Sequence, residues 1–126
     1  MSADKECCEI KRLFGVLCEQ PELPFPRSGE RLNAPQKHGV YVIRKHEFAL
    51  HVGRTLRAQG GLFQRLRNHL DGSSSFTDKY LKGKGTILRE AGYTYQYLEL
   101  IDPRKRALLE AYAIGKLCPE HIGLGQ

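Results

Sequence analysis

Gly39-Val40-Tyr41-Val42-Ile43 and Phe48-Ala49-Leu50-His51-Val52-Gly53 are two short segments rich in β-branched and aromatic residues. Such residues favour strands, and the intervening Arg44-Lys45-His46-Glu47 fits the turn of a hairpin. Both segments are apolar on both faces. We therefore expect a sheet that is covered on one side and lines a site on the other.

The rest of the chain predicts helices around this hairpin and one further strand. Apolar residues at helical spacing predict helices over 4–19 and 62–70, and Asp102-Pro103 is a helix start for 103–117. A short helix is expected at 77–81, a third strand at 93–101 and a proline-rich extended arm at 20–37. The fold class is thus α+β, with a small three-stranded antiparallel sheet flanked by helices. Residues 1–37 form an N-terminal helix and arm, and 38–126 form the main domain.

Length and composition exclude several protein classes. The 126 residues fit one domain, and no apolar run approaches the roughly 18 residues of a membrane helix. The N-terminus has no apolar core of a signal peptide, which predicts a cytoplasmic protein, nuclear in a eukaryote, without a membrane partner. The four cysteines, Cys7, Cys8, Cys18 and Cys118, lack zinc spacing and are expected to be free thiols.

Positive charge is concentrated in the middle of the chain. The net charge is +6, with a pI near 9.3. Residues 44–89 contain ten lysines and arginines against three acids, a net +7, whereas the rest has ten bases, eleven acids and a net −1. A basic middle of this kind suits a polyanion such as nucleic acid, although a solvated basic surface has the same composition.

Three polar residues on the predicted helices could serve phosphodiester chemistry. Arg65 and His69 are four residues apart and share a helix face; arginine bridges phosphate oxygens and histidine exchanges protons at neutral pH. Glu110 lies at the margin of an apolar helix face and could hold a divalent cation. The alternatives are a basic surface helix for the first two and an Arg106–Glu110 salt bridge for the third.

Tyr41 and His51 are the polar residues of the hairpin. If the strand register sets them opposite each other, both side chains point to one face of the sheet. A shift of one residue would separate them, and a strand tyrosine is more often a core residue than a catalytic one.

The order Gly39-Val40-Tyr41, His51-Val52-Gly53, Arg65-x-x-x-His69 and a helical Glu110 resembles the GIY-YIG nuclease family over residues 38–119. The resemblance implies an endonuclease that hydrolyses DNA with one Mg²⁺ or Mn²⁺ ion held by Glu110. It matches Tyr41 and His51 to the two motif tyrosines, one of which activates water in the family. It matches Arg65 to the arginine at the scissile phosphate and His69 to a helix histidine that assists proton transfer.

This sequence departs from the family pattern at two places. His51 replaces the second tyrosine, and the asparagine that often follows a proline beyond the glutamate helix is missing from Pro119-Glu120-His121. Histidine can still accept a proton at position 51, and His121 is a candidate replacement for the asparagine. Gly39 and Gly53 would serve close backbone packing.

The DNA backbone is expected to lie against basic side chains of the middle segment. These are Arg44, Lys45, Arg54, Arg57, Arg67, Lys82 and Lys84. No reader domain is attached, so we expect weak specificity, recognition of DNA structure, or help from a second copy or a partner protein.

Two other functions are compatible with the sequence. A non-catalytic DNA-binding module on the same fold would explain His51 and the missing asparagine. A small RNA-binding domain would stack bases on Tyr93, Tyr95 and Tyr97, which alternate onto one face of the predicted third strand.

Overall fold

A computed structural model of the chain describes residues 3–57 and 60–123. Within these two ranges, four helices and four strands follow one another in the order α1, β1, β2, β3, α2, α3, β4, α4. The helices are α1 Ala3–Glu19, α2 Gly61–Asp71, α3 Ser75–Lys79 and α4 Pro103–Leu117. The strands are β1 Leu23–Pro24, β2 Gly39–Lys45, β3 Phe48–Arg54 and β4 Tyr93–Glu99. A 3₁₀ helix at Gly85–Arg89 precedes β4. The predicted α+β class is confirmed.

The sheet has four strands in the order β1-β4-β2-β3, all antiparallel, so the prediction of three strands was wrong. The additional strand is the dipeptide Leu23–Pro24 of the arm, which pairs with Tyr95 and Thr94 of β4. The proline-rich composition indicated only an extended segment. Proline has no N–H to give to a sheet, but an edge strand needs partners on one side only.

Each face of the sheet has its own apolar core, which places the sheet between two helical layers. On one face, α1 and α4 cover β2 and β3 through residues such as Leu17, Val42 and Leu109. On the other face, α2, α3 and the arm pack on Tyr41, Ile43 and Tyr95. Both faces are therefore covered, except where α2, α4 and the end of β3 leave a pocket between them.

Three helix boundaries follow local sequence signals, although the expected start of the short helix lay two residues too late. Asp102 caps α4 by accepting hydrogen bonds from the backbone N–H groups of Arg104 and Lys105. Gly72 ends α2 in the left-handed conformation, with φ +92°. The short helix starts at Ser75 rather than at Thr77 because Ser74, and no later residue, is its N-cap.

None of the described helices is both long and apolar enough to cross a bilayer. All four cysteines are free, as expected.

Candidate active site

The β2–β3 hairpin brings Tyr41 and His51 to the same face of the sheet. Tyr41 pairs with Gly53, and His51 pairs with Ile43. The direct pairing of Tyr41 with His51 is therefore not formed. The offset is two residues, which preserves the face, and the two rings lie 6.1 Å apart between centroids. A bulge after Ile43 inserts Leu50 into β3 and shifts the register beyond it.

The Tyr41 ring leaves no room for a side chain at position 53. A Cβ at position 53 would overlap the hydroxyl and the Cζ of the Tyr41 ring. The tyrosine is fully buried, and its hydroxyl passes directly beneath the Gly53 backbone. The close packing expected for this glycine from the sequence is present, and it determines how deep the phenol lies.

α2 places His69 over the Tyr41 hydroxyl. Leu62, Leu66 and Leu70 bury one stripe of the helix, and His69 lies beside that stripe with 1% of its surface exposed. Its Nε2 is 2.6 Å from the Tyr41 oxygen, and its Nδ1 is 2.7 Å from Oγ of Ser74. Both ring nitrogens of this buried histidine are therefore hydrogen-bonded.

His51 makes a hydrogen bond to His121, with the two Nδ1 atoms 3.1 Å apart. The segment after α4 reaches the strand through two backbone hydrogen bonds, from His121 N to Leu50 O at 2.9 Å and from Glu120 N to Ala49 O at 3.2 Å. Phe76 stacks on the His51 ring at 4.8 Å between centroids. His121, which the sequence offered as a candidate for the missing asparagine, is thus a neighbour of His51.

Glu110 enters the site from α4 and is half-buried. Its Oε1 lies 3.4 Å from Nε of Arg54, the residue that follows Gly53. The alternative Arg106–Glu110 salt bridge is not formed, because the Arg106 guanidinium donates to the carbonyl oxygens of Leu100 and Ile101 at 3.1 and 2.6 Å. Glu110 therefore pairs with Arg54 at the end of β3. Arg106 instead binds the backbone just before α4.

One pocket of about 290 Å³ joins these side chains. Its lining includes His51, Gly53, Arg54, Arg65, His69, Glu110 and His121. Tyr41 lies below the pocket floor and is not part of the lining. Four of the five predicted catalytic residues thus share the pocket wall, and the fifth supports it from beneath.

Burial shifts the pKa values of Tyr41, His51 and His69 in the direction that favours the neutral form of each side chain. Burial raises the pKa of Tyr41 to about 12, against the opposing positive charge of Arg65. Burial, followed by the charge of His121, lowers the pKa of His51 to about 3, and burial places the pKa of His69 well below 6.5. Both histidines are therefore neutral at pH 7, with lone pairs that can accept protons.

Glu110 is the one carboxylate in the pocket lining. Burial raises its pKa, whereas the nearby charges of Arg54 and Arg65 lower it. Within residues 3–57 and 60–123, no group of three or more histidine, cysteine, aspartate or glutamate residues could hold a metal ion. A hard cation such as Mg²⁺ fits a single carboxylate when water and substrate phosphate complete its shell, so Glu110 is a suitable ligand for that ion only in this open form.

Only one of the seven predicted DNA-binding residues, Arg54, lines the pocket that holds Glu110. Arg54 lines the pocket, and Arg57 lies beside it in a second cleft that Arg54 and Arg106 also line. Arg67 lines a cleft on the far side of α2. The remaining residues lie away from the pocket lining: Arg44 donates to Gln96 Oε1 at 2.8 Å, Lys45 covers the Tyr93 ring, and Lys82 and Lys84 are exposed beyond α3.

The face that carries Tyr93, Tyr95 and Tyr97 is covered rather than open. Tyr95 is fully buried against Phe25 of the arm, 4.8 Å away between ring centroids, and its hydroxyl donates to Asn33 O at 2.7 Å. The three tyrosines share a face as predicted, but the arm occupies the surface on which bases would stack. The fold therefore supports core packing, rather than base stacking, as the role of these three tyrosines.

Sequence reasoning did not identify Ser74 and Thr77, which lie next to His69. Ser74 accepts from the Thr77 backbone N–H at 3.1 Å as the N-cap of α3. The signal was present in Ser73-Ser74-Ser75 followed by Thr77, because serine is a preferred N-cap residue. The contact of Ser74 with His69 depends on the turn at Gly72 and is not visible from spacing alone.

Solved structures similar to this chain include the GIY-YIG N-terminal endonuclease domain of UvrC from Thermotoga maritima. An asparagine-to-alanine variant bound to its catalytic divalent cation has a TM-score of 0.53 at 23% identity, covering 72% of this chain and 88% of that chain. The domain bound to magnesium has a TM-score of 0.53 at 24% identity, covering 72% and 89%.

Neither a protein-family model nor a curated protein sequence matches the chain. At this level of identity the similarity concerns the path of the backbone. The chain therefore has the GIY-YIG fold, the fold of endonuclease domains that are crystallised with a catalytic divalent cation.

Proposed function

We propose that the chain is a divalent-metal-dependent endonuclease that hydrolyses phosphodiester bonds in DNA. The observation that supports this is the composition of one pocket, in which a carboxylate, two arginines and three imidazoles face the same space of about 290 Å³. Phosphodiester hydrolysis needs a proton acceptor for water and positive charge around the phosphorus, and this pocket supplies both.

Arg65 is proposed as the group that contacts the scissile phosphate. Its Nε is buried and has no hydrogen-bond partner within the described part of the chain. A buried N–H donor without a partner costs free energy, and phosphate oxygens would satisfy the guanidinium in a two-pronged contact. Negative charge grows on the phosphate oxygens in the transition state, where a fixed guanidinium stabilises it most.

Glu110 is proposed to hold the single Mg²⁺ or Mn²⁺ ion. When bound, the cation would polarise the phosphate and stabilise the leaving 3′ oxygen. Arg54 contacts the same carboxylate at 3.4 Å in this structure, so Glu110 would have to release Arg54 in order to hold a cation. Arg54 would then contact the phosphate, and Arg57, which lines the same neighbouring cleft, is proposed to contact the DNA backbone beside it.

His51 is proposed as the acceptor of the proton from water, in preference to Tyr41. His51 lines the pocket, whereas the Tyr41 hydroxyl lies beneath Gly53 and is hydrogen-bonded to His69. As the O–H bond of water breaks, its proton goes to a lone pair of the neutral imidazole. The water oxygen then bonds to phosphorus, and the bond from phosphorus to the 3′ oxygen breaks.

The His51–His121 hydrogen bond is proposed as the route by which positive charge leaves the buried His51 ring. A pKa near 3 makes His51 a poor place for a lasting positive charge. His121 is nearer the surface, so a proton that passes along the Nδ1–Nδ1 contact moves the charge towards solvent. In this scheme Tyr41 and His69 support the site rather than exchange protons with water.

The decisive experiment is nicking of supercoiled plasmid by the purified chain with Mg²⁺ or Mn²⁺. We expect cleavage by the wild type and loss of it in Glu110→Gln. Glu99→Gln is the matched control, since Glu99 is exposed on β4 and lies outside the pocket lining. Equal rates for wild type and Glu110→Gln would contradict the assignment of the carboxylate. A comparison of His51→Asn with Tyr41→Phe tests the base: only the former should remove the proton acceptor.

A second candidate is a DNA-binding module without catalysis, and the Arg54–Glu110 ion pair favours it, because the pair occupies the carboxylate that a cation would need. It predicts salt-sensitive DNA binding by the purified chain. No divalent ion would then produce nicked plasmid, and Glu110→Gln would bind DNA as the wild type does.

A further inference from the structure

Two buried hydroxyl groups lie directly behind His69. Thr77 is fully buried and Ser74 nearly so, and both belong to the turn that starts α3. Their oxygens are 3.1 Å apart, and Ser74 Oγ is 2.7 Å from Nδ1 of His69. A hydroxyl has one hydrogen and two lone pairs, so the direction of each hydrogen bond in this group can be worked out from the others.

Thr77 fixes the direction at one end of the group. Its Oγ1 is hydrogen-bonded to the backbone carbonyl oxygen of His69, which can only accept. The single hydroxyl hydrogen of Thr77 is therefore given to that carbonyl. In its contact with Ser74, Thr77 Oγ1 can then only accept, and Ser74 must be the donor.

Ser74 transmits this direction to the imidazole. Its hydrogen is given to Thr77, and one of its lone pairs accepts the Thr77 backbone N–H at 3.1 Å. The remaining lone pair faces Nδ1 of His69, which must therefore be the protonated ring nitrogen. Nε2 then has a free lone pair, and the Tyr41 hydroxyl donates its hydrogen to it across 2.6 Å.

The other tautomer would break this arrangement at two points. With the proton on Nε2, Ser74 would turn its hydrogen to Nδ1, and the Ser74–Thr77 contact would be left with two oxygens and no hydrogen. Tyr41 would have to accept from Nε2 and find another acceptor for its own hydrogen, inside a fully buried environment. Each buried donor or acceptor without a partner costs free energy.

We propose that Ser74 and Thr77 are positioning residues that hold His69 as its Nδ1–H tautomer, so that the Tyr41 oxygen presents only lone pairs to the guanidinium of Arg65. An oxygen that presents only lone pairs attracts the positive charge of Arg65, which lines the pocket above it. The tautomer part of this inference is a statement about the folded chain alone. The consequence for cleavage rests on the proposed function, in which Arg65 contacts the phosphate.

Two further observations agree with this arrangement. The positive charge of Arg65 lowers the pKa of Tyr41 against the larger effect of burial, so this charge lies near the phenol oxygen. Burial, with the nearby charges of His51, Arg65 and His121, lowers the pKa of His69, so the ring is neutral at pH 7 and has one defined tautomer. No acidic residue contributes to that shift.

The tautomer can be measured by ¹⁵N NMR of the histidine rings in the intact protein, where protonated and unprotonated ring nitrogens have well-separated shifts. The chain has five histidines, and the signals of His69 are identified by their loss in His69→Gln. We expect Nδ1 to be the protonated nitrogen, whereas an unconstrained neutral histidine favours Nε2. A wild-type His69 protonated on Nε2 would overturn the proposal.

Thr77→Val and Thr77→Ser form a matched pair of variants. Valine keeps the shape of the side chain and leaves Ser74 as the N-cap, because the capping bond uses the Thr77 backbone N–H. It removes the acceptor of the Ser74 hydrogen, which can then turn to His69, and the tautomer should shift towards Nε2–H. Serine retains the hydroxyl and should retain the wild-type tautomer. An unchanged tautomer in Thr77→Val would contradict the role of Thr77.

The activity of the same variants tests the consequence for Arg65. Thr77→Val should lower kcat at least about tenfold with little change in KM. Thr77→Ser should keep the kcat of the wild type. A changed tautomer with an unchanged kcat would refute the link to Arg65. If neither the wild type nor any variant cleaves DNA, the proposed function fails, but the NMR comparison still decides the positioning of His69.

Discussion

Tyr41 and His69, which are 28 residues apart in the sequence, share a buried hydrogen bond of 2.6 Å between the phenol oxygen and Nε2. The bond joins the inner strand β2 to α2, and Tyr41 and His69 have 0% and 1% of their surface exposed. A polar pair in a fully buried environment persists only if both groups are satisfied. Mutation of either partner therefore affects stability as well as the pocket above.

Tyr41→Phe should destabilise the fold by about 1–3 kcal/mol, because it leaves Nε2 of His69 buried without its donor. It should also lower the nicking rate about tenfold, the equivalent of about 1.4 kcal/mol, since the support beneath Arg65 is lost. Chemical denaturation and plasmid nicking measure the two effects separately.

Tyr95→Phe is the control for this variant. Tyr95 is also fully buried in the sheet, and its hydroxyl donates to Asn33 O at 2.7 Å, under the arm and outside the pocket lining. Removal of that hydroxyl should lower stability to a similar degree and leave nicking unchanged. If both variants lose activity equally, the effect of Tyr41→Phe is one of general stability rather than of the site.

Gly53→Ala should destabilise the protein by about 1–3 kcal/mol, the usual cost of overpacking a core. The added methyl group would overlap the Tyr41 ring and its hydroxyl, so the ring or β3 must move. Gly115→Ala is the matched change on α4, where an added Cβ meets no atom within 4 Å, and it should stabilise the helix by about 0.5–1 kcal/mol. Equal effects of the two substitutions in thermal denaturation would contradict the packing argument.

The free energy of unfolding should increase with pH between about 3 and 6.5. Burial lowers the pKa of His51 from 6.5 to about 3, and it moves that of His69 in the same direction. In this window the unfolded chain binds protons that the folded chain does not, so acid favours unfolding. Each such histidine adds a slope of up to about 1.4 kcal/mol per pH unit.

Glu110 acts in the opposite sense, because burial raises its pKa and the folded state keeps a proton that the unfolded state has lost. The contribution of Glu110 to the free energy of unfolding falls as the pH rises above the ordinary carboxylate range. Urea titrations at a series of pH values measure the sum, and His51→Asn should have a shallower dependence than the wild type. A pH dependence that is the same in both proteins would show that His51 is not the titrating group.

DNA binding should depend on Arg57, which is exposed in the cleft beside the pocket. Arg57→Gln should weaken binding for all sequences and reduce the salt dependence of the affinity by about one phosphate contact. Arg12→Gln is the control, since Arg12 is exposed on α1, which covers the opposite face of the sheet. Identical salt slopes for the two variants, measured by fluorescence anisotropy, would place the DNA elsewhere.

Much of the secondary structure was predictable because it follows from local patterns. The apolar stripe of α2, the Asp102 cap of α4 and the β-branched segments of the hairpin each act over a few residues, and each element is present. The fourth strand was not predictable, because two residues of a proline-rich arm become a strand only when β4 offers an edge. The same arm covers Tyr95. Without that cover, the alternation of Tyr93, Tyr95 and Tyr97 was compatible with an open RNA-binding face.

The sequence by itself determined the order of the elements and the residue types that could serve phosphate chemistry, since periodicity, capping and motif order are local properties. Tertiary structure alone decided the partners: Glu110 with Arg54 rather than Arg106, His51 with His121, and His69 with Ser74. The physical reason is that hydrogen bonds act within about 3 Å. Residues as far apart in the chain as His51 and His121 come within that distance only after the sheet and both helical layers have packed.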